Sequence, residues 1–412
     1  MPSSARGLHS GFTLVELMVA VALGMLLTSA MVYVYITSKT AFSRQQQVSS
    51  IQQSVRMAFD FLGSDTRMVG HLGCYTGSPV VAPTFNSDLG ATNITNNFVN
   101  GVEGYEATAT TVGQLTLGSS KPADISDATK WETNVAVGVT TLPLSTVAGA
   151  GNGLTPGSDV LVLRSVTGRP VRLNAIANTG SGQATLSIES NAGDSATCAN
   201  GSTSKVSGLC APSGTYTGSY GLLASCKQAR LFRVASIAGN SPSTVTLATS
   251  MGTDPVYDPA STEVFPLQTS VYYVKLSSKG DSTSLYRRVF DGTQSAGVEQ
   301  ELIEGVESMQ VTYGIDTTSV ADGVVDAYVA AKGTTSTASD SVVDWSRVVA
   351  VRVGLLVRST TPLDADLGTV VGTSGQVNDV LVTYPTSGTK FDRRVFTTTI
   401  AVRNKITYFT SP

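Results

Sequence analysis

Few side chains in this sequence are of the types that catalyse reactions or bind metal ions. Its 412 residues include two histidines, His9 and His71, so a Ser-His-Asp or Cys-His arrangement has at most two bases to draw on. The four cysteines contain no C-x-x-C pair of the kind that binds zinc. No glycine-rich loop follows a strand and opens a helix, as a phosphate-binding loop does. We therefore expect no enzymatic activity, no metal ion and no cofactor.

One acidic segment, residues 316–328, has some features of a calcium-binding loop. Asp322, Gly323 and Asp326 would match the fifth, sixth and ninth positions of an EF-hand loop. The first and third positions would then be Thr318 and Val320, so two carboxylates are missing. A hairpin turn is the better interpretation of this segment.

The charge balance argues against a general nucleic-acid-binding protein. Lys and Arg total 27 against 30 Asp and Glu, a formal net charge of -3, whereas nucleic-acid binding calls for a basic face. Hydrophobic residues make up 41% of the chain and charged residues 14%, so it can build a large core but carries few surface charges. The length allows two or three domains of about 150 residues.

Near its N-terminus the sequence contains an apolar segment, residues 12–36, whose only charged residue is Glu16. A stretch of this length can span a bilayer as a helix. The polar leader before it is short and carries Arg6. Short leaders usually stay in the cytoplasm, which would place the bulk of the chain outside it.

Two ordinary interpretations of this segment leave Glu16 unexplained. A secretory signal peptide could be cut after Ala30, although the apolar run continues beyond that point. A plain membrane anchor accounts for the length, but a carboxylate within a spanning helix costs about 2.5–3.5 kcal/mol on insertion scales.

The segment GFTLVE at residues 11–16, followed by the apolar run, resembles the processing site of type IV pilins. The resemblance implies that a prepilin peptidase cleaves between Gly11 and Phe12 on the cytoplasmic side and that the new amino group of Phe12 is methylated. It also implies that the helix stays on the mature chain and that Glu16 pairs with the terminal amine of a neighbouring subunit. An opposite charge in the same medium lowers the cost of burying the carboxylate.

The helix is predicted to continue past the membrane, from residue 12 to about residue 69. There is no proline between residues 38 and 69, and glycine occurs there only at Gly63. Apolar residues recur at helical spacing at Val48, Ile51, Val55, Phe59 and Leu62. We expect this stripe to pack on the chain's own domain, since two heptads are few for a coiled coil. The kinking proline usual in pilins is missing from the apolar half.

Beyond residue 70 the sequence is rich in Thr, Ser, Gly and Val and predicts β-strands. The candidate strands are residues 159–166, 184–188, 229–237, 244–248, 271–276, 284–290, 306–313, 347–358 and 394–403. The clearest is 347–358, where alternate valines share one face with Leu355, and Leu356 is the apolar exception on the other face. That alternation predicts a half-buried strand of an antiparallel sheet.

The cysteines favour disulfides, because their number is even and the chain is placed outside the cytoplasm. They are Cys74, Cys198, Cys210 and Cys226. Four cysteines allow three pairings. We favour Cys198 with Cys210, inside one Gly/Ser-rich loop, which leaves Cys74 with Cys226, and the other two pairings stay open.

Three C-terminal segments resemble the PilW group of minor pilins. They are EGVESMQVTYGID at 304–316, VVAVRVGLLVRS at 348–359 after Trp345, and RRVFTTTI at 393–400 with Arg403-Asn404. The resemblance implies an α+β, pilin-like fold in which a long N-terminal helix packs on an antiparallel sheet. The expected layout is a leader (1–11), a helix (12–69, with 12–36 transmembrane), a large β-rich insertion (70–299) and a C-terminal β region that completes the sheet (300–412).

The resemblance implies a type IV pilus minor pilin that primes pilus assembly within a minor-pilin complex at the tip. Its partners would be other minor pilins, the major pilin, the prepilin peptidase and a large tip adhesin. The precursor would sit in the bacterial inner membrane with its bulk in the periplasm, and the assembled subunit in the extracellular pilus. The alternatives are a type II secretion pseudopilin, which shares the processing site, and a tip-located adhesin that binds through the β-rich insertion.

Overall fold

The structure is a computed structural model. It describes residues 13–75, 80–81, 95, 97–98, 100–107, 114–117, 134–137, 140–143, 154–155, 157–177, 182–189, 196–198, 201, 203–204, 206, 208–214, 218–239, 242–251, 257–279, 282–291, 297–319, 322–331, 344–362, 372–385 and 391–404. The chain divides into two compact units, residues 1–53 and residues 54–412. In the described parts of the chain, a long α-helix, two short 3-10 helices (Pro259–Ser261 and Trp345–Arg347) and a large, mainly antiparallel β-rich region confirm the predicted α+β class.

Helix α1 spans Leu14–Met68, 55 residues that would measure about 82 Å at 1.5 Å per residue. It is rich in the helix formers Leu, Met, Ala and Gln and contains no proline. Arg67 lies in the last turn, where its charge suits the negative end of the helix dipole. Gly70 follows with φ at 71°, a conformation that glycine adopts without strain and that ends the helix.

The strands fall into four sheets. The first half of the chain contributes β1 (Val80–Val81), β2 (Val102–Ala107), β3 (Gln114–Thr116), β4 (Asn134–Val137), β5 (Thr140–Pro143), β6 (Val160–Val166), β7 (Val171–Ala177), β8 (Thr185–Ile188), β9 (Ala196–Thr197) and β10 (Thr203–Ser204). The second half contributes β11 (Tyr220–Ala224), β12 (Ala229–Ala238), β13 (Ser243–Leu247), β14 (Glu263–Leu276), β15 (Thr283–Phe290), β16 (Val298–Glu304), β17 (Val306–Ile315), β18 (Ala327–Ala330), β19 (Val348–Arg358), β20 (Ser374–Val377), β21 (Val380–Thr383) and β22 (Arg393–Ala401). Each predicted strand segment overlaps one of these strands.

The longest strand, β14, organises the largest sheet, which has 13 strands among the described residues. Its first half pairs with β11 and β7, and its second half pairs with β6 and β15, all antiparallel. β16 pairs only with β15 within the described chain. β14 changes partners along its length, so the side chains on its faces contribute to more than one core.

Three hydrophobic clusters are formed in this region by residues that the structure describes. One joins β7, β8, β12 and β13 and includes Leu223 and Phe232. A second lies where β2, β6, β14 and β15 meet and includes Tyr105 and Tyr273. The third holds Leu72, just after α1, against β11, β12 and β14. The core is therefore built from residues far apart in the sequence.

The second unit contains the end of α1, and a carboxylate fixes it to the large sheet. Asp65 accepts a hydrogen bond from the Tyr272 hydroxyl at 2.8 Å and one from Arg287 Nη2 at 3.1 Å. Burial, together with the Asp65 charge, raises the pKa of Tyr272 well above its usual value. Val55 and Leu62 of the predicted stripe are buried there, which confirms the inward face over residues 54–68.

The C-terminal sheet runs in the order β18-β17-β19-β22 and is antiparallel throughout. β19 is buried on both faces, so the expectation of a half-buried strand was wrong. A second sheet, formed by β20, β21 and β3, covers the face of β19 that carries Leu356. Leu356, the apolar exception in the pattern, packs there with Val377, Val380 and Val382.

A buried carboxylate joins the C-terminal sheet to the large one. Asp159 Oδ2 accepts the Val311 backbone N–H at 2.9 Å, and Oδ1 accepts that of Ala107 at 3.1 Å. The Asp159 backbone N–H donates to the Met309 carbonyl at 2.9 Å. Burial raises the pKa of Asp159, because the surroundings solvate its charged form poorly.

A buried ion pair lies within the large sheet. Arg164 Nη2 contacts Glu103 Oε2 at 2.7 Å, and Arg164 Nη1 donates to the Asn100 carbonyl at 2.8 Å. Glu103 also accepts the Tyr105 hydroxyl at 2.7 Å. The side chains of the pair are 1% and 9% exposed, so each charge depends on its partner rather than on water.

Candidate functional site

The first turn of α1 is closed by reciprocal hydrogen bonds between Thr13 and Glu16. Glu16 Oε2 accepts the Thr13 backbone N–H at 3.1 Å and the Thr13 hydroxyl at 3.0 Å. The Thr13 hydroxyl oxygen accepts the Glu16 backbone N–H at 3.3 Å. This is a capping box, and it satisfies amide groups that would otherwise have no partner at the start of the helix.

Glu16 therefore has a structural role inside its own chain. Its negative charge also lies in the first turn, where the positive end of the helix dipole stabilises it. The side chain is exposed, so a positive group from outside the chain can reach it. The capping bonds hold the carboxylate at a defined position at the beginning of the apolar run.

The helix that follows is apolar on every side, and none of its large side chains in residues 14–36 is buried. Leu14 is 73% exposed, Leu27 71% and Met31 76%. A surface helix of a globular protein is apolar on one stripe only, whereas a helix that is apolar all round is surrounded by apolar material. These residues therefore require lipid or other protein helices around them.

The threonine and serine hydroxyl groups in this segment are satisfied by the helix itself. Thr28 donates to the Gly24 carbonyl at 2.8 Å, and Ser29 donates to the Leu26 carbonyl at 3.0 Å. Just beyond it, Thr37 donates to the Tyr33 carbonyl at 2.9 Å. Polar groups bonded in this way can enter an apolar medium without leaving a hydrogen bond unmade.

The small side chains create a shallow groove along one side of the helix. Thr28 and Ser29 line it together with larger residues, among them Met25, Val32 and Ile36. Small residues at this kind of position let two helices approach closely in an apolar medium. Within the described chain, α1 is the helix long and apolar enough to cross a membrane, by length and composition.

The predicted site residues are placed as follows. Gly11 and Phe12, the predicted cleavage and methylation positions, lie outside the described residues. Glu16 lies in the first turn of α1. The cysteines form two disulfides, Cys74–Cys226 and Cys198–Cys210, which confirms the favoured pairing.

The remaining candidates for chemistry have structural roles. The His71 ring packs edge-on against Phe265 with ring centroids 6.1 Å apart. β17 and β18 pair antiparallel, so the described residues between them, 316–319 and 322–326, belong to a hairpin connection, as predicted. Asp316 accepts hydrogen bonds there from the Thr318 hydroxyl and the Gly323 N–H. Among the described residues, no group of three or more His, Cys, Asp and Glu side chains could hold a metal ion.

Sequence reasoning missed the capping role of Glu16, although a signal for it was present. Thr13-x-x-Glu16 directly before an apolar run is the pattern of a capping box. It also missed Asp65 and Asp159, whose partners lie 52 to 222 residues away in the chain and leave no local pattern.

Comparison with known protein families gives two matches. Residues 271–404 match the family described as Type IV Pilus-assembly protein W, PilW, and residues 7–32 match the Prokaryotic N-terminal methylation motif. The PilW match begins inside β14, earlier than the boundary expected at residue 300. No curated protein and no solved structure matches the chain. The two matches support a PilW-like type IV pilin.

Proposed function

We propose that this chain is a minor pilin that primes assembly of a type IV pilus together with other minor pilins. The observation that carries the proposal is the exposed apolar helix segment at residues 14–36, whose first turn is capped by Thr13 and Glu16. Among the described residues, none of the large apolar side chains of this segment is buried. A bilayer before assembly and a bundle of pilin helices after assembly both supply the apolar surroundings that it needs.

The precursor would be held in the inner membrane by α1, with its bulk in the periplasm. A prepilin peptidase would cleave between Gly11 and Phe12 and methylate Phe12. The mature chain would then leave the membrane as its helix exchanges lipid for the helices of neighbouring subunits. The work of the protein is stacking rather than catalysis.

Glu16 would act twice in this process. Within the chain it caps the helix, and during assembly its carboxylate would pair with the terminal amine of a neighbouring subunit. The pairing needs the charge, whereas the capping box needs only a hydrogen-bond acceptor, because Gln serves at this position as well as Glu. The two roles can therefore be separated by substitution.

The partners that follow from this role are other minor pilins and the major pilin. A position at the pilus tip, beside a large tip adhesin, belongs to the same proposal. Co-purification of the full chain with the other minor pilins from sheared pilus tips tests it. Recovery of the chain with secretion-system pseudopilins instead would assign it to a type II secretion system.

The decisive comparison is Glu16→Gln against Glu16→Ala in cells lacking the native chain. We expect both variants to be processed and both to reduce piliation, since each removes the charge. Pili are counted by electron microscopy, and processing is measured by mass spectrometry of the mature amino terminus. Normal piliation with Glu16→Gln would show that capping suffices and would remove the pairing from the proposal. A mature chain that starts at Met31 would overturn the pilin proposal itself.

A further inference from the structure

The two disulfides differ in their access to solvent. Cys74 and Cys226 are both exposed. Cys198 is 5% exposed, and Cys210 is fully buried. Thiol–disulfide exchange requires an attacking thiolate to reach one of the two sulfurs, so access decides which bond reacts in the folded protein.

Contacts other than the disulfide hold Cys74 in place. Leu72, two residues earlier, is buried in the cluster formed by β11, β12 and β14. Gly73 has φ at 65°, and a side chain there would meet the Phe265 ring at 3.4 Å. The Tyr75 N–H donates to the Leu72 carbonyl at 3.3 Å. The segment that carries Cys74 is therefore docked on the large sheet by packing.

Cys226 is held in the same manner, in the short loop between β11 and β12. The two strands pair up to Ala224 and Ala229, and the Ser225 N–H donates to the Gln228 carbonyl at 2.8 Å. The hairpin fixes the loop whether or not Cys226 is bonded to Cys74. Two thiols produced by reduction would therefore remain next to each other.

The second disulfide has a different setting. Leu209, next to Cys210, belongs to the cluster of β7, β8, β12 and β13 and is fully buried. The Cys210 N–H donates to the Ser219 hydroxyl at 2.7 Å, and the Cys210 carbonyl accepts the Ser219 N–H at 2.9 Å. An attacking thiolate would reach this bond only after part of the core had opened.

We propose that Cys74–Cys226 is a redox-active disulfide that exchanges with external dithiols while the protein stays folded, and that Cys198–Cys210 is a structural bond. A thiolate of the dithiol attacks one sulfur of Cys74–Cys226, forms a mixed disulfide and releases the other cysteine as a thiolate. The second thiol of the reagent then closes its own disulfide and releases the remaining cysteine. Two electrons pass to the protein, and each new thiolate takes up a proton according to its pKa.

Thiol–disulfide exchange at Cys74–Cys226 changes how the C-terminal end of α1 is connected to the β-rich region. The bond connects a residue just after the helix to one 152 positions later, so it ties the end of α1 covalently to the β11–β12 hairpin. Opening it leaves that connection to the packing of Leu72 and to the hydrogen bonds that Asp65 accepts from Tyr272 and Arg287. The partner is a dithiol-disulfide oxidoreductase of the compartment in which the β-rich region resides, and the inference does not depend on the pilus role.

The test is graded reduction of the full chain, purified in detergent. Samples taken during treatment with dithiothreitol are blocked with an alkylating reagent, and the four cysteine peptides are quantified by mass spectrometry. We expect Cys74–Cys226 to be reduced at least about tenfold faster than Cys198–Cys210, because the buried bond reacts only through local opening. Equal rates, or faster reduction of Cys198–Cys210, would overturn the proposal.

Two further measurements examine whether the thiols stay adjacent. After removal of the reductant, oxidised glutathione is expected to restore Cys74–Cys226 as the native pair, and bonds to Cys198 or Cys210 would contradict the proposal. The double variant Cys74→Ala, Cys226→Ala is expected to keep the circular dichroism spectrum of the native β-rich region. Loss of the folded spectrum would show that the fold depends on the Cys74–Cys226 bond and would also overturn the proposal.

Discussion

Residues 14–36 of α1 and the second half of β14 are both rich in apolar residues, yet these side chains are exposed in the helix and buried in the strand. Leu27 and Met31 of the helix are 71% and 76% exposed, whereas Val271 and Tyr273 of the strand are fully buried. The strand meets its partners, β6 and β15, within the chain. The large apolar side chains of the helix segment are not buried by any part of the chain that the structure describes.

The difference shows that apolar composition alone does not identify a protein core. In the strand, burial and hydrogen bonding are completed by residues of the same chain. In the helix, the hydrogen bonds are completed internally but the burial is left to an external apolar phase. A substitution should therefore affect folding in one region and insertion or assembly in the other.

The largest effect on folding is expected from breaking the buried ion pair of the β-rich region. Glu103→Ala leaves the Arg164 charge buried without its carboxylate and should cost about 3–5 kcal/mol of the free energy of unfolding. Urea denaturation of the full chain in detergent measures this cost. The exposed Glu189→Ala is the control and should change stability by less than about 0.5 kcal/mol. Similar values for both variants would show that the β-rich region does not depend on this pair.

A matched pair of leucines tests the comparison most directly. Leu223 is fully buried in the β-rich region, and Leu223→Ala should cost about 2–5 kcal/mol because it leaves a cavity. Leu27→Ala in the helix should leave unfolding of the β-rich region within about 0.5 kcal/mol of wild type. Leu27→Ala should lower piliation instead. Both variants are measured by urea unfolding and by pilus counts. Destabilisation of the β-rich region by Leu27→Ala would contradict the view that the apolar helix segment does not contribute to its folding.

The capping box predicts a smaller and local effect. Thr13→Ala removes the acceptor for the Glu16 N–H and should destabilise the first turn of α1 by about 1 kcal/mol. Hydrogen exchange of the amides that follow Thr13 should accelerate, while exchange in the β-rich region stays unchanged. Thr13→Ser keeps the hydroxyl and is the matched control. Unchanged exchange in Thr13→Ala would mean that the box does not hold this end of the helix.

The smallest effect is a pH dependence confined to the β-rich region. Partial burial of Glu301 raises its pKa, but hydrogen bonds from Ser278, Ser284 and Ser277 outweigh this and lower the pKa to about 2. Because the pKa of Glu301 is lower in the folded protein than its unfolded value of 4.5, the ionised side chain stabilises the fold at pH values above 4.5. This stabilisation is lost as the pH falls toward 2. Melting temperatures of the full chain between pH 6 and pH 3 should fall less steeply in Glu301→Gln than in wild type. Parallel curves would show that Glu301 adds no acid-sensitive stability.

Much of the fold could be predicted because the relevant patterns are local. The helix followed from apolar spacing and the absence of proline, and alternation located strands such as β19 and β22. Strands with charged or interrupted patterns were missed. The sequence of β16, VEQELIE, does not alternate between apolar and polar residues. Its glutamates bond instead to side chains on β14 and β15 or in the loop between them. The second sheet over β19 was missed as well, because β20 and β21 are short and their partner β3 lies far away in the chain.

The sequence by itself determined the N-terminal region of this protein. The GFTLVE segment, the apolar run and the capping residues all lie within about 25 positions, and short-range rules govern each of them. The tertiary structure decided the rest: which strands pair with β14, why Leu356 is apolar, where Asp159 finds its two amides, and that one disulfide is exposed while the other is buried. These features depend on contacts between distant residues, and the free energy of such contacts is set by packing that no local pattern encodes.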